Sequence, residues 1–199
     1  RLTRFRDAHP DIDVRLATSD AIMDYDRDGI DIGIRYGLGE WSGLQAEELM
    51  REEIFPVCAP EMINGDIPLK VPSDLRHFTL IHDDMMEDWK MWLKAAGVSD
   101  IDPMRGPGYS HSNLVIQAAI NGEGIALGRG ILVADALQAG FLVKPFDLAL
   151  TARYRYYVAS TPANVDRPKV NAFRQWLMSE AAMTATHLAT SKLRATGDE

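Results

Sequence analysis

A single cysteine, Cys58, excludes any disulfide within the chain. Its apolar setting, Phe55-Pro56-Val57-Cys58-Ala59, reads as that of a buried structural thiol rather than a reactive one. The five histidines are scattered and no Cys/His cluster has metal-ligand spacing, so neither a metal nor a cofactor is expected. No apolar run approaches the length of a bilayer span, and no charged-then-apolar leader opens the chain. These absences point to a cytoplasmic protein with no membrane partner. Positive charge is scarce as well: 21 basic residues against 29 acidic ones leave a formal charge of −8. That is the reverse of the clustered positive face with which a chain grips nucleic acid. There is no nucleophile elbow, and no carboxylate pair clearly faces a cleft, which argues against an enzyme. Internal repeats and low-complexity segments are lacking too.

What remains is an ordinary globular composition, 46% hydrophobic and 25% charged, over 199 residues, enough for one domain or two small lobes. The chain opens without methionine on Arg1 to Pro10, which reads as the last turns of an amphipathic helix begun upstream and stopped by His9-Pro10. Asp11 to Thr18 alternates Ile12, Val14 and Leu16 with polar residues, the period of a half-buried strand, and Ser19-Asp20 is placed to cap a short helix. Gly29 to Gly37 reads as a buried strand ending in Arg35, Tyr36 and Gly37. Open sheets bind ligands beyond their strand ends, and an arginine there can fork onto a carboxylate. An ion pair of Arg35 with Asp31 or Glu40 is the competing explanation, and Trp41 is either a lid or a loop anchor.

Leu44 to Met50 and Glu53 to Ala59 read as two further strands, and the prolines at 60, 68 and 72 mark a candidate boundary. Phe78 to His82 is another strand. A histidine followed by Asp83 and Asp84 has the parts for proton transfer, but helix capping is the preferred reading there. Met85 to Ala96 places Trp89, Trp92 and Leu93 on one helical face, as core. Helices at 131–139 and from about 168 to 182, and a strand at 154–160, complete the pattern. The alternation of strands and helices argues for two α/β units with largely parallel sheets.

The organising stretch runs from Gly106 to Gly128. The polar run Ser110, His111, Ser112, Asn113 opens a helix over Leu114 to Ile120 that Asn121-Gly122 stops, and the next strand returns at Gly124 to Leu127. A helix start offers free N–H groups and the positive end of the dipole to an anion. From spacing alone the favoured reading is that these four residues only cap a helix. Gly122-x-Gly124-x-x-x-Gly128 is not a dinucleotide loop, because it follows a helix instead of opening one.

The phrases at 5–14, 31–37 and 56–60, with those at 117–128 and 137–146, together resemble the effector-binding domain of LysR-type transcriptional regulators. His82-Asp-Asp with Trp89 and Trp92, and Arg35-Tyr-Gly, are similar to the branch containing the glycine-cleavage activator and the β-lactamase regulator. The resemblance implies two Rossmann-like lobes of the type 2 periplasmic-binding-protein fold joined by two crossover strands. Lobe I would be residues 1–78 plus 159–182, lobe II residues 79–158, and 183–199 a C-terminal tail. It further implies an N-terminal winged helix-turn-helix and a first strand of lobe I that this chain does not contain.

A small effector would then bind between the lobes, and a homodimer or homotetramer would transmit this to DNA. Carried across residue by residue, the effector contacts fall on Arg35, Tyr36 and Gly37, on Ser110, His111, Ser112 and Asn113, and on Tyr156, Thr18 and Ser19. In this reading Arg35 neutralises an effector anion, the Ser and Asn groups orient it, and Tyr36 packs on its apolar part. The effector expected is anionic or zwitterionic, such as an amino acid or a peptide-like cell-wall fragment. A periplasmic solute receptor feeding a transporter is the alternative, since it shares the fold.

Overall fold

A computed structural model describes residues 1–19, 23–63, 65–84 and 88–195, with side chains up to Thr186. The helix expected after Ser19-Asp20 therefore lies largely outside the described residues. By backbone contacts the chain divides into two units, the first built from Arg1–Arg51 and Arg153–Thr190 and the second from Glu52–Ala152. Two long strands, β2 (Gln45–Val57) and β5 (Leu150–Ser160), each contribute to both units.

In the first unit, helix α1 (Leu2–Ala8) inserts Phe5, fully buried, against Phe173 at 4.9 Å and Trp176 at 5.3 Å on α6 (Pro168–Ala195). Arg4 pairs with Glu180 at 2.5 Å along the same contact. The helix at the chain's end runs to Ala195, well past the Ala182 at which the sequence pattern loosens. Strand β1 (Gly33–Gly37) lies antiparallel to β5, with Arg35 opposite Tyr157 and Tyr36 opposite Tyr156. Residues 11–18 do not form the expected strand. No strand pairs with them among the described residues, and Leu16, which the alternation would bury, is 74% exposed.

The second unit is a small sheet with an apolar cluster on each face. Strand β4 (Ile125–Arg129) lies between β2, antiparallel to it, and β3 (Leu80–Ile81), parallel to it. Side chains alternate across a strand, so Leu80 and Ile125 join Trp89, Trp92, Leu75 and Cys58 on one face. Ile81 and Ala126 join Phe55, Val57, Val115, Ala119 and Val133 on the other. Burying each large apolar side chain contributes roughly 1.5–3 kcal/mol. Trp89 and Trp92, on α3 (Asp88–Ala95), also satisfy their indole N–H groups by donating to the carbonyls of Ile81 and Leu148.

Three sequence expectations change here. The two strands expected over 44–59 are one continuous β2. By backbone contacts the two units divide at 51/52 and 152/153. Residues 54–57 pair with β4, and Leu69 and Leu75 enter the core with Trp92, so the proline-marked stretch belongs to the second unit. Pro60 and Pro72 open a short helix, α2 (Pro60–Ile63), and a 3-10 turn (Pro72–His77) instead of marking a boundary. The sheets are also not largely parallel, because β1–β5 and β2–β4 are antiparallel.

Candidate functional site

The second unit places the start of helix α4 (Ser112–Ile120) by its topology. The chain runs from β3 through α3 to α4 and back into β4, parallel to β3, so α4 begins at the carboxyl end of the β3–β4 pair. Open α/β sheets bind ligands beyond that edge. The loop leading into α4 is clamped to the strand it passes. The N–H of His82 donates to the Pro107 carbonyl at 3.0 Å, the N–H of Tyr109 donates to the His82 carbonyl at 2.9 Å, and the His82 ring donates from Nε2 to the Arg105 carbonyl at 2.8 Å. Arg105 reaches back to the carbonyls of Leu75 and Phe78 at 2.7 and 2.6 Å. Gly106 allows this close approach: its φ is +110°, and a Cβ there would sit 1.9 Å from the Leu80 carbonyl oxygen. His82 thus binds backbone carbonyls through both its ring and its main-chain N–H.

The residue that enters the helix is His111, extended at φ −136° and ψ 135°, and its side chain makes no capping bond. Leu114 and Val115 donate their backbone N–H to the His111 carbonyl, closing the first turn. Side-chain capping by Ser and Asn, expected from the sequence, does not occur. Ser112 is already the first helical residue, and its hydroxyl donates to Asp83 at 3.2 Å. Ser110, His111 and Asn113 are exposed around this start. The N–H groups of Ser112 and Asn113, ahead of Leu114 and Val115, accordingly stay open to an anion.

Asp83 is anchored in turn. Arg129, at the end of β4 and 6% exposed, extends one nitrogen, Nη2, to Asp83 at 3.3 Å and to Asp88 at 2.9 Å. Burial pushes the Asp88 carboxyl up, Arg129 pulls it down, and Asp83 adds to the rise. The helix start that Asp83 and Asp84 are expected to cap falls at residues 85–87, outside the described residues; within them Asp83 meets Arg129 in an ion pair. Sequence reading missed Arg129 altogether, because a lone arginine ending a strand carries no local signal of the acids it will meet.

In the first unit the structure separates residues that are adjacent in sequence. Arg35 lies over the Trp41 ring at 5.1 Å; burial pushes the Tyr25 hydroxyl up, and the charge of Arg35 opposes that rise. Asp31, one of the two acids weighed as a partner for Arg35, pairs with Lys169 at 2.7 Å and Arg167 at 3.5 Å. Trp41 is an anchor, packed edge-on against Tyr157 at 5.5 Å, and a Cβ on Gly37 would lie 2.8 Å from its ring. Tyr36 packs instead on Tyr156 at 4.8 Å and on Tyr154 at 5.7 Å. Thr18 and Ser19 are exposed and belong to no strand. Among the described residues, no group of three or more His, Cys, Asp or Glu side chains is placed to hold a metal ion.

Comparison with known proteins gives matches over most of the chain. The LysR substrate binding domain profile matches residues 1–182. A glycine cleavage system transcriptional activator of Escherichia coli (strain K12) is 40% identical over 182 residues, which are 92% of this chain and 60% of the relative. An HTH-type transcriptional activator AmpR of Rhodobacter capsulatus is 35% identical over 185 residues, covering 92% of this chain and 61% of the relative. The effector domain of the transcriptional regulator AmpR of Pseudomonas aeruginosa superposes with a TM-score of 0.78 at 30% identity, over 94% of this chain and 89% of that one. The chain spans about 60% of the length of the curated relatives it matches.

Proposed function

From membership of the LysR substrate binding domain family, to which this chain belongs with its type 2 periplasmic-binding-like α/β fold, we propose that it is the ligand-sensing part of a transcriptional regulator. Both named relatives are transcriptional activators, which favours this reading over a periplasmic receptor. In the proposal the chain recognises a small anionic or zwitterionic effector and relays this, within a homodimer or homotetramer in the cytoplasm, to DNA-binding heads carried outside residues 1–199. No helix among the described residues is long and apolar enough to cross a membrane.

The observation that carries the proposal is the uncapped start of α4. Its free N–H groups suit a carboxylate, the exposed Ser110, His111 and Asn113 add short-range polar contacts, and Asp83 beside Ser112 supplies negative charge for a cationic group. A zwitterion is the small molecule that uses both. On the first unit, Tyr36 and Tyr156 are proposed as effector contacts in their own right, with Gly37, Thr18 and Ser19 as secondary candidates. Arg35 is proposed to contribute through Trp41 and the loop it anchors as much as by direct contact.

The test is thermal unfolding against amino acids, organic acids and muropeptides. A ligand at about 100 times its dissociation constant adds about 2.7 kcal/mol. The resulting rise in melting temperature is expected to shrink in Ser110→Ala and Asn113→Ala. A hit whose shift both variants retain in full would overturn the assignment of the site to α4.

A further inference from the structure

We propose that Asp83 and Arg129 are positioning residues for the start of α4: Arg129 holds Asp83, and Asp83 accepts the hydrogen bond of the Ser112 hydroxyl and so fixes the first turn of the helix and the polarity that Ser112 shows a ligand. The inference rests on the reading of α4 as the effector-contacting helix.

Three observations carry it. The first is placement. Because β3 and β4 run parallel in register, Leu80 with Ile125 and Ile81 with Ala126, the residues just beyond their carboxyl ends lie side by side. Asp83, two residues past β3, is carried by that register level with Gly128 and so next to Arg129, the last residue of β4, beside the N-terminus of α4. The second is burial without a stabilising rationale. Arg129, Asp83 and Asp88 are 6%, 14% and 16% exposed, and two carboxylates share one guanidinium nitrogen. Desolvating such a group offsets most of its Coulomb attraction, and an apolar cluster of equal volume stabilises a fold as well or better. What an ion cluster adds is direction, which a hydroxyl proton can follow.

The third observation is the missing cap. With no side-chain bond from His111, the first turn is tied down by the Leu114 and Val115 N–H bonds to the His111 carbonyl and by the Ser112–Asp83 bond. Asp83, being a carboxylate, only accepts, so Ser112 must donate to it and turns its lone pairs outward. An N–H or ammonium donor on the effector is therefore favoured at Ser112, while the backbone N–H groups favour its anion.

Amide hydrogen exchange on the ligand-free protein tests the positioning role directly. In Ser112→Ala and in Asp83→Asn, the Leu114 and Val115 amides are expected to exchange about tenfold faster. The Ile125 amide, bonded to the Thr79 carbonyl in the sheet, is expected to keep its rate. The double variant should be no faster than either single one, since both remove the same bond. Arg129→Met should reproduce the effect, and if it fails to fold, the Ser112 and Asp83 pair still decides. Unchanged rates, rates that multiply in the double variant, or Ile125 accelerating in step would each overturn the proposal. These outcomes are independent of the ligand panel: a hit indifferent to Ser110→Ala and Asn113→Ala would overturn the site assignment and leave the exchange coupling standing.

Discussion

Arg35 and Tyr36 are neighbours in sequence and face opposite sides of β1. The guanidinium of Arg35 lies over Trp41 at 5.1 Å, whereas the Tyr36 ring packs on Tyr156 at 4.8 Å. Side chains alternate along a strand, so the two cannot present their side chains to the same group of a ligand. Arg35 and Tyr36 thus offer a ligand two separate faces of the strand end rather than one shared surface.

Arg35 has a structural duty that can be measured. Removing it in Arg35→Ala takes its guanidinium off the Trp41 ring, a loss of about 0.5–1 kcal/mol. Urea unfolding should show it, and Trp41→Ala should cost less in that background than in the parent. An Arg35→Ala variant as stable as the parent would show that the contact contributes nothing.

Gly106 is predicted to tolerate no side chain. With φ at +110° and a Cβ 1.9 Å from the Leu80 carbonyl oxygen, Gly106→Ala must shift the loop that leads into α4. The expected cost is more than about 1 kcal/mol in urea unfolding. Gly140→Ala, with φ +75° and open space around its Cβ, is the control for backbone strain alone and should cost less.

Cys58 is fully buried, and burial pushes its thiol up to about 12, so the reactive thiolate is suppressed in the folded chain. An aromatic disulfide reagent at neutral pH should leave the native protein unlabelled and label one thiol per chain in urea. The labelling midpoint should coincide with unfolding of the second unit, in whose core Cys58 sits beside Trp89 and Leu75. Fast labelling of the native protein would contradict this burial.

Asp74 gives a pH signature. Its carboxylate accepts the backbone N–H groups of Lys70 at 2.8 Å and Val71 at 3.0 Å, which holds its pKa below the ordinary 3.8. A carboxyl depressed in the folded state contributes stability that is present above its unfolded pKa and is lost as pH falls through the folded one. Asp74→Ala should accordingly be less stable than the parent at neutral pH, and the gap should close in acid below 3.8. A gap that persists unchanged at low pH would assign the effect to packing rather than to charge.

What residue order determined by itself is local and periodic. The helix ending at Asn121-Gly122, the buried tryptophan face of α3, the buried thiol and the family were all legible from spacing and phrase, because each rests on residues within a turn or two of one another. The tertiary structure decided which long-range partners those residues meet. Residues 11–18 have a strand's alternation but no neighbouring strand to pair with among the described residues, and pairing is what makes a strand. Residues 52–78 join the second unit because Ile54 to Val57 pair with β4, about seventy positions away. Ser112 was visible as a polar residue at a helix start, but its partner, Asp83, is 29 positions distant, and the arginine holding that partner is a further 46 away. A proton donor at a helix start can cap its own backbone or reach a distant acid, and only the packing of β3 beside β4 puts the acid within reach.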